Sequence, residues 1–320
     1  MTRAWVGLLA LILGLVMLVP VPGWSQTEIG YAAMPILSQA PVIIGQRKGF
    51  FEAEGIKLKL VRVQSGAQGI EAMMAGSVHA AHVSDTPLIH AAASGLGIVV
   101  VADNGRITKD NTQGAILVKA DSPIRTLEDL RGKKLASLPP GTINDVQLKA
   151  RVFPKLGLRA GTDITLVVAG FPQMEGMLRA GTVDAIYQME PFLTMMLKTG
   201  SYRVVSRLEE YMQDEGHYLS MITFRKDFAT ANPEAMRRFL RAYLKGVAVY
   251  TRDPDERAAA LGEWVKLPMD MLKEVPPLVM RLDGKISLGA LIAAEQALEQ
   301  LGYLKKPVDI RPHVDNSYLP

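Results

Sequence analysis

The sequence predicts an α/β protein built from two similar lobes, each with a mixed, mostly parallel sheet flanked by helices. Three observations lead to this fold class. Short apolar strands alternate with helices through most of the chain, a pattern typical of largely parallel sheets. One helix, turn, strand and loop pattern occurs twice. The chain also has 320 residues, which exceeds the size that one hydrophobic core usually organises.

The repeated pattern occupies residues 66–87 and, 105 positions later, residues 171–192. In each copy an amphipathic helix runs to a glycine, Gly76 or Gly181, and a short apolar strand leads to an acidic loop with a proline. Glycine suits the left-handed backbone that ends many helices. Chance is the alternative, because Ala-Gly-Ser/Thr-Val is a common way to end a helix and begin a buried strand. The seven aligned matches favour a true repeat and hence two lobes of one plan.

Composition narrows the class of protein and its partners. Hydrophobic residues make up 48% and charged residues 21%, which supports a sizeable core and excludes a disordered chain. The net charge is only +4, without a basic stripe, so nucleic acid is not expected as a partner. The chain has no cysteine. It therefore has neither a disulfide framework nor a cysteine to carry a lipid anchor.

Residues 1–25 form a separate segment with the pattern of a secretory signal peptide. Arg3 precedes an uncharged, almost wholly apolar run over residues 6–19, and Gly23 and Ser25 offer small side chains for cleavage after Ser25. An uncleaved membrane anchor is the alternative, but the run is shorter than the ~20 residues that a span needs. We expect a soluble, exported protein.

The other elements follow from periodicity and from helix and turn signals. Strands are expected at residues 27–31, 56–61, 98–102, 114–119, 164–168 and 218–225, and another at the end of the segment 121–136. Helices are expected from residue 40, within 121–136, and at 146–156, 232–250, 254–265, 268–280 and 287–301. A polar tail follows at residues 311–320.

Ligands of such proteins bind beyond the carboxyl ends of the strands, among loops and helix N-termini. Four segments have this character: residues 65–67, 84–87, 141–145 and 189–192. Backbone N–H groups at the start of a helix attract anions. The sequence therefore indicates a small anionic or zwitterionic ligand.

Four blocks resemble a known family in their joint order and spacing. They are residues 48–58 (KGFFEAEGIKL), 74–79 (MAGSVH), 127–135 (LEDLRGKKL) and 179–185 (RAGTVDA) with the following Glu190-Pro191. Together they are similar to periplasmic substrate-binding proteins of ABC importers, in the branch that serves nitrate, alkanesulfonates, taurine and thiamine precursors. The likeness extends over nearly all of residues 27–318.

The resemblance implies the periplasmic-binding-protein type II fold, with two lobes joined by two crossover strands and closing over a ligand like a hinge. The crossovers are expected near Ala115–Lys119 and Leu219–Phe224. Lobe one would comprise residues 27–116 plus 222–320, and lobe two residues 117–221.

The resemblance also implies which segments line the cleft: the loop from Tyr31 to Gln39, the turn after the second strand, the two repeat loops and a helix start in lobe two. The candidate ligand-binding residues on these segments are Met34, Leu37, Gln39, Ser65, Gly66, Ser84, Asp85, Thr86, Gly141, Thr142, Asn144, Met189, Glu190 and Pro191. The side chains of Met34, Leu37, Met189 and Phe192 would form apolar walls or belong to the core.

The aligned acids Asp85 and Glu190 have two interpretations. In the cleft they would repel a bare anion and favour a ligand that also carries an amine or another hydrogen-bond donor. Alternatively, they cap the helices that follow or pair across the lobes. The expected ligand is a small organic acid or zwitterion of the sulfonate or taurine type.

Three function classes remain at this point. The expected one is the solute-binding component of an importer: a periplasmic monomer that uses no cofactor and meets an inner-membrane ABC permease with its ATPase. A ligand-bound sensor for a membrane receptor would use the same cleft. An enzyme is the third class, since a thiamine-pyrimidine synthase resembles this fold. However, His79 and His82 cannot share a metal from opposite faces of a strand, and no catalytic motif is present.

Overall fold

The computed structural model describes residues 26–212 and 216–320. The expected signal peptide at residues 1–25 lies outside these residues. Within the two described ranges, no helix is long and apolar enough to cross a membrane.

Two five-stranded sheets form the frame of the molecule. The first has the strand order β2-β1-β3-β12-β4, with β1 Thr27–Ala33, β2 Ile56–Arg62, β3 Ala80–Val83, β4 Ile98–Asp103 and β12 Met221–Arg225. The second has the order β10-β6-β9-β7-β8, with β6 Gly114–Lys119, β7 Lys134–Ser137, β8 Thr165–Val168, β9 Ala185–Met189 and β10 Tyr202–Ser206. The predicted pair of α/β sheets is confirmed.

Each sheet contains one strand that runs against the other four. In the first sheet β12 pairs antiparallel with β3 and β4, while β1 pairs parallel with β2 and β3. In the second sheet β6 is antiparallel to β9 and β10, while β7 is parallel to β8 and β9. In each sheet, the antiparallel strand, β12 or β6, is the first strand that the chain forms there after it crosses from the other half.

The chain passes between the sheets at a separate, two-stranded ladder. It consists of β5 Arg106–Ile107 and β11 His217–Tyr218, which pair antiparallel. The expected crossovers at 115–119 and 219–224 are corrected in part: residues 115–119 lie in β6 and residues 221–224 in β12, whereas Leu219 and Ser220 lie on the crossing segment. A boundary after residue 116 would split β6, because the whole strand bonds within the second sheet. The division into two moving lobes stays a prediction.

The sequence repeat corresponds to a structural repeat. Helix α3 Gly66–Met74 leads to β3, and α7 Phe171–Ala180 leads to β9. The intervening glycines have the same left-handed backbone, with φ of 74° at Gly76 and 73° at Gly181. A further helix begins just beyond each strand: α4 Asp85–Ala93 and α8 Phe192–Lys198. Each half thus carries one copy of the unit at a comparable place in its sheet.

The remaining helices cover the two sheets. In the first half they are α1 Ala40–Arg47, α2 Phe50–Ala53, α9 Lys226–Ala231, α10 Pro233–Arg252, α11 Pro254–Val265, α12 Met269–Glu274 and α13 Leu288–Gln300. The second half adds α5 Ile143–Gln147 and α6 Phe153–Lys155, joined by a π-helical turn at Leu148–Val152. Short 3-10 turns lie at Leu37–Gln39, Glu128–Leu130, Glu209–Tyr211, Arg311–His313 and Asn316–Tyr318.

Two of the expected helices differ from prediction. The helix expected at 268–280 ends at Glu274, because Pro276 and Pro277 cannot continue the backbone hydrogen-bond ladder. In the segment 121–136 the expected short helix is only a 3-10 turn, whereas the strand expected after it is present as β7. The aromatic pair Phe50-Phe51 packs in the core, where Phe51 is fully buried against Phe239 with ring centroids 5.1 Å apart.

A buried polar chain lies where the first sheet meets the crossing ladder. His82 Nδ1 lies 2.5 Å from Ser220 Oγ, which accepts a hydrogen bond from Asn104 Nδ2 at 2.6 Å. Tyr243 donates to the Asn104 side-chain oxygen at 2.9 Å. Since Ser220 accepts from Asn104, its own proton is free to go to His82 Nδ1. Burial lowers the pKa of His82 from 6.5 to about 4, so the imidazole is neutral in the folded protein.

This burial predicts a defined acid sensitivity. Because the pKa of His82 is lower in the folded than in the unfolded chain, the stabilisation is complete above pH 6.5 and is lost as the pH falls towards 4. A shift from 6.5 to about 4 corresponds to roughly 3 kcal/mol of unfolding free energy. Denaturant unfolding at pH 7 and pH 4 should show this loss in the parent and a smaller one in His82→Gln. His90→Gln, at a partly buried position of α4, is the matched control. Equal losses in all three proteins would contradict the assignment.

Candidate functional site

A cavity of about 240 Å³ lies between the two sheets. Both halves contribute to its wall, and so do the segments that cross between them. The lining residues are Pro35, Ile36, Leu37, Ser38, Gln113, Phe171, Met189, Glu190, Pro191, Phe192, Leu219, Val265 and Leu267. Clefts between two domains are a frequent place for small-molecule sites.

The first wall is the loop between β1 and α1. It bends into a 3-10 turn at Leu37–Gln39, and Pro41 sits in the first turn of α1. Leu37 and Ser38 are buried, and Ser38 Oγ has no hydrogen-bond partner among the described residues. This turn therefore contributes an apolar wall, with one buried, unpaired hydroxyl in the same turn.

The opposite wall is the second repeat loop, at the carboxyl end of β9. Met189 is buried, and Glu190 and Pro191 follow, joined by a cis peptide bond. Glu190 Oε2 accepts a hydrogen bond from the Thr194 N–H at 3.1 Å. Burial raises the pKa of Glu190, while the hydrogen bonds from Thr194 and the charge of Arg207 act in the opposite direction. Glu190 thus both caps α8 and lines the cavity, so its two interpretations are compatible.

The remaining wall combines residues that are distant in sequence. Gln113 and Leu219 come from the two crossing segments, and Phe171 begins α7. Val265 ends α11, and Leu267 follows a residue with left-handed backbone, Lys266 at φ 58°. Sequence reasoning did not select any of these five lining residues as site residues, although Phe171 begins the second repeat copy and Leu219 begins the second expected crossover.

Four of the predicted site residues line the cavity: Leu37, Met189, Glu190 and Pro191. Ser38, next to two candidates, lines it as well. Met34 instead packs at the edge of the first-half core, and its carbonyl accepts the Trp264 Nε1–H at 2.6 Å. Gln39 is fully buried one residue beyond the lining.

The first repeat loop and the preceding turn lie away from the cavity. Ser65 caps α3 by accepting the Gln68 N–H at 3.1 Å, and Gly66 begins that helix. Ser84 is the residue before α4, and Asp85 accepts the Thr86 N–H at 2.7 Å. The Asp85 carboxyl lies 3.7 Å from His217 Nδ1, with both side chains buried. Asp85 therefore corresponds to the capping and pairing interpretation.

The helix start in the second half also lies outside the cavity lining. Thr142 caps α5 by accepting the Asp145 N–H at 3.5 Å, and the Gly141 N–H donates to the Asp145 carboxyl at 2.9 Å. Asn144 comes nearer, because its Nδ2 donates to the sulfur of Met189 at 3.2 Å. Asn144 thus supports a lining residue from behind.

Two sets of contacts join the halves beside the cavity. On one side Tyr303, which follows α13, donates to Asp145 Oδ2 at 2.6 Å, while Lys149 Nζ lies 2.6 Å from Asp145 Oδ1 and 2.9 Å from Tyr303 Oη. On the other side Lys198 of α8 pairs with Glu274 of α12 at 2.6 Å. The halves therefore contact each other around the cavity as well as through β5 and β11.

Two α/β halves joined by a pair of crossing strands, with a cavity between them, define the class of two-lobed, periplasmic-binding-protein-type folds. Comparison with known proteins places the chain more narrowly. It belongs to the NMT1/THI5-like family, whose model matches residues 37–257.

Several relatives are named as binding proteins. The chain is 27% identical over 296 residues to a Bacillus subtilis protein assigned to aliphatic sulfonate binding, covering 88% of this chain and 84% of that one. It is 25% identical over 237 residues to the taurine-binding periplasmic protein of Escherichia coli, covering 74% and 69%. The relatives also include an enzyme, the 4-amino-5-hydroxymethyl-2-methylpyrimidine phosphate synthase of Aspergillus parasiticus, at 23% over 239 residues.

Solved structures agree on the fold. The periplasmic aliphatic sulphonate binding protein of Escherichia coli superposes with a TM-score of 0.74 at 24% identity, over 91% of this chain and 98% of that one. This confirms the predicted fold class.

Proposed function

We propose that the protein is the extracytoplasmic solute-binding component of an ABC importer, and that it captures a small organic anion or zwitterion of the sulfonate or taurine type between its two halves. In this proposal it is exported to the periplasm and delivers its solute to an inner-membrane permease with its ATPase. Membership of the family and the binding relatives support the class. We also propose that the two halves close over the solute like a hinge.

The observation that carries the proposal is the composition of the cavity wall. Residues from the first half, the second half and both crossing segments surround one space. A solute there contacts both halves at once, so it favours the arrangement in which they are together. Among the lining residues in the described part of the chain, Glu190 is the one titratable side chain. That inventory suits binding better than acid–base chemistry, which needs a donor and an acceptor of protons.

The same wall restricts the body of the solute. Apart from Ser38, Gln113 and Glu190, the lining side chains are aliphatic, aromatic, Met or Pro. Burial of apolar surface contributes about 25 cal/mol per Å² of favourable free energy. These walls therefore stabilise a bound alkyl or aryl group and contribute little to the binding of a bare inorganic ion. We therefore expect organic solutes to bind more tightly than nitrate.

Titration calorimetry of the purified protein tests the proposal. The panel contains taurine, alkanesulfonates of increasing chain length, aromatic carboxylates and nitrate. We expect at least one organic solute to bind well below millimolar concentration and affinity to rise with apolar chain length. Absence of binding below roughly millimolar for the whole panel would overturn the proposal.

A blocking variant tests the location. In Leu267→Trp the indole should occupy the cavity and reduce solute affinity by about tenfold or more, which corresponds to roughly 1.4 kcal/mol. The matched control is Leu282→Trp, at a side chain that is 53% exposed and lies outside the cavity lining. Calorimetry and thermal melting of both variants separate blocking from unfolding. Equal affinity in a folded Leu267→Trp variant would place the solute elsewhere.

A further inference from the structure

The cavity lining has few polar side chains. Its polar side chains are Ser38, Gln113 and Glu190, and no lysine, arginine or histidine belongs to the lining among residues 26–212 and 216–320. Ser38 and Gln113 are buried, and Ser38 Oγ and Gln113 Oε1 have no hydrogen-bond partner there. Buried polar atoms are nearly always paired, so Ser38 and Gln113 each keep a hydrogen-bonding capacity that the described residues leave unused.

Hydrogen bonds fix the orientation of the Gln113 amide. Its Nε2 donates to the side-chain oxygen of Asn111 and also lies 3.3 Å from the carbonyl oxygens of Pro276 and Pro277. These three atoms are all acceptors, so the amide nitrogen must be the atom that faces them. The unpaired atom is then the amide oxygen, which can only accept a hydrogen bond.

Glu190 adds a second acceptor beside Gln113. The Glu190 N–H donates to the Gln113 carbonyl oxygen at 2.8 Å, so the two side chains start from paired backbone positions. Oε2 of Glu190 is used by the Thr194 N–H. Thr194 also donates to this carboxyl group through its side chain, so the donor named for Glu190 is a neutral residue. An ionised carboxylate donates no hydrogen bond, so a ligand at this end of the cavity must supply the donors.

The charge balance agrees with the hydrogen-bond pattern. Arg207 and Lys109 lie in a neighbouring depression that Gln113 and Glu190 also line, and the charge of Arg207 is the smallest of the named influences on the pKa of Glu190. A lone anionic head group in the cavity would therefore face the carboxylate without a cation in the lining. A protonated amine would neutralise it.

From these contacts we propose that the solute presents a protonated amine to Glu190 and Gln113, with its alkyl or aryl body against the apolar walls. This inference rests on the proposed function and names the ligand class of the same cavity. A primary ammonium carries three N–H donors, and the polar side chains of the lining, Glu190, Gln113 and Ser38, all have oxygens that can accept hydrogen bonds. Solutes with an acidic group as their only polar end are then the weaker ligands.

Three probes that share a hexyl chain and differ in their polar end group test this inference: 1-hexylamine, 1-hexanol and 1-hexanesulfonate. Calorimetry should rank the amine first. In Glu190→Gln, which keeps an acceptor for the Thr194 N–H, affinity for hexylamine should fall by roughly 30-fold or more, the loss typical of a broken buried charge pair. Affinity for hexanol should be unchanged, and that for hexanesulfonate should rise. Glu209→Gln removes an exposed charge from the neighbouring depression and serves as the matched control.

The outcomes separate this inference from the proposed function. A parent protein that binds hexanesulfonate more tightly than hexylamine, with no response to Glu190→Gln, overturns the amine assignment and leaves solute binding intact. An equal loss for all three probes also overturns it, because a charge-specific contact cannot weaken a neutral alcohol. If none of the three probes binds, the amine assignment falls. The proposed function falls with it only when the wider solute panel fails too. Thermal melting confirms that each variant is folded.

Discussion

Replacing Gly246 by alanine should destabilise the protein by about 3 kcal/mol, the upper part of the range for overpacking a core. Gly246 lies within the twenty-residue helix α10, where α10 crosses α1. A Cβ at this position would lie 2.2 Å from the carbonyl oxygen of Pro41 and 3.0 Å from its carbonyl carbon. Those atoms are backbone, so relief requires the two helices to move apart.

Denaturant unfolding at neutral pH measures the effect, and Gly176→Ala is the matched control. Gly176 also lies inside a helix, α7, but a Cβ there would meet nothing within 4 Å. Alanine is the better helix former by roughly 1 kcal/mol, so the control should be at least as stable as the parent. A Gly246→Ala protein as stable as the Gly176→Ala protein would show that α1 and α10 can separate without loss.

Removing the Tyr303 hydroxyl should weaken solute binding about tenfold while changing the solute-free fold little. Tyr303 donates to Asp145, and its oxygen lies 2.9 Å from Lys149 Nζ. A hydrogen bond to a charged group contributes roughly 1.5–3 kcal/mol. Since this contact joins the two halves, its loss disfavours the arrangement in which they enclose the cavity. The apparent affinity falls with the population of that arrangement.

The experiment compares Tyr303→Phe with Tyr318→Phe, a partly buried tyrosine at the end of the chain in the first half. Calorimetry gives the affinities, and small-angle scattering with and without solute gives the compactness. We expect Tyr303→Phe alone to need more solute for compaction. A lower unfolding free energy with unchanged affinity would instead identify Tyr303 as a static brace.

Much of the fold follows from local sequence. Periodicity and the repeat located most of the strands, although β5 and β10 were not expected, and β6 has the bounds expected from its apolar run. The two glycines of the repeat mark the ends of α3 and α7 because the left-handed backbone they need is local chemistry. The helix expected to reach residue 280 fails for an equally local reason, since Pro276 and Pro277 follow it.

The cavity is a different matter. The second repeat loop was predictable, because a strand end followed by an acid and a proline already stands out in the sequence. Gln113, Leu219 and Leu267 were not, since they come from three connecting segments that only the packed molecule brings together. Their neighbours in sequence carry no motif that distinguishes them from ordinary loops.

The two acids of the repeat show what the sequence determines and what depends on the tertiary structure. The sequence by itself determined that Asp85 and Glu190 stand at equivalent positions, each after a buried strand. The structure gave them different surroundings: Asp85 is covered by His217 from the crossing strand β11, and Glu190 lines the cavity. The physical reason is that a repeat fixes a residue's place on its own unit, whereas burial and charge partners depend on what the rest of the chain packs against it.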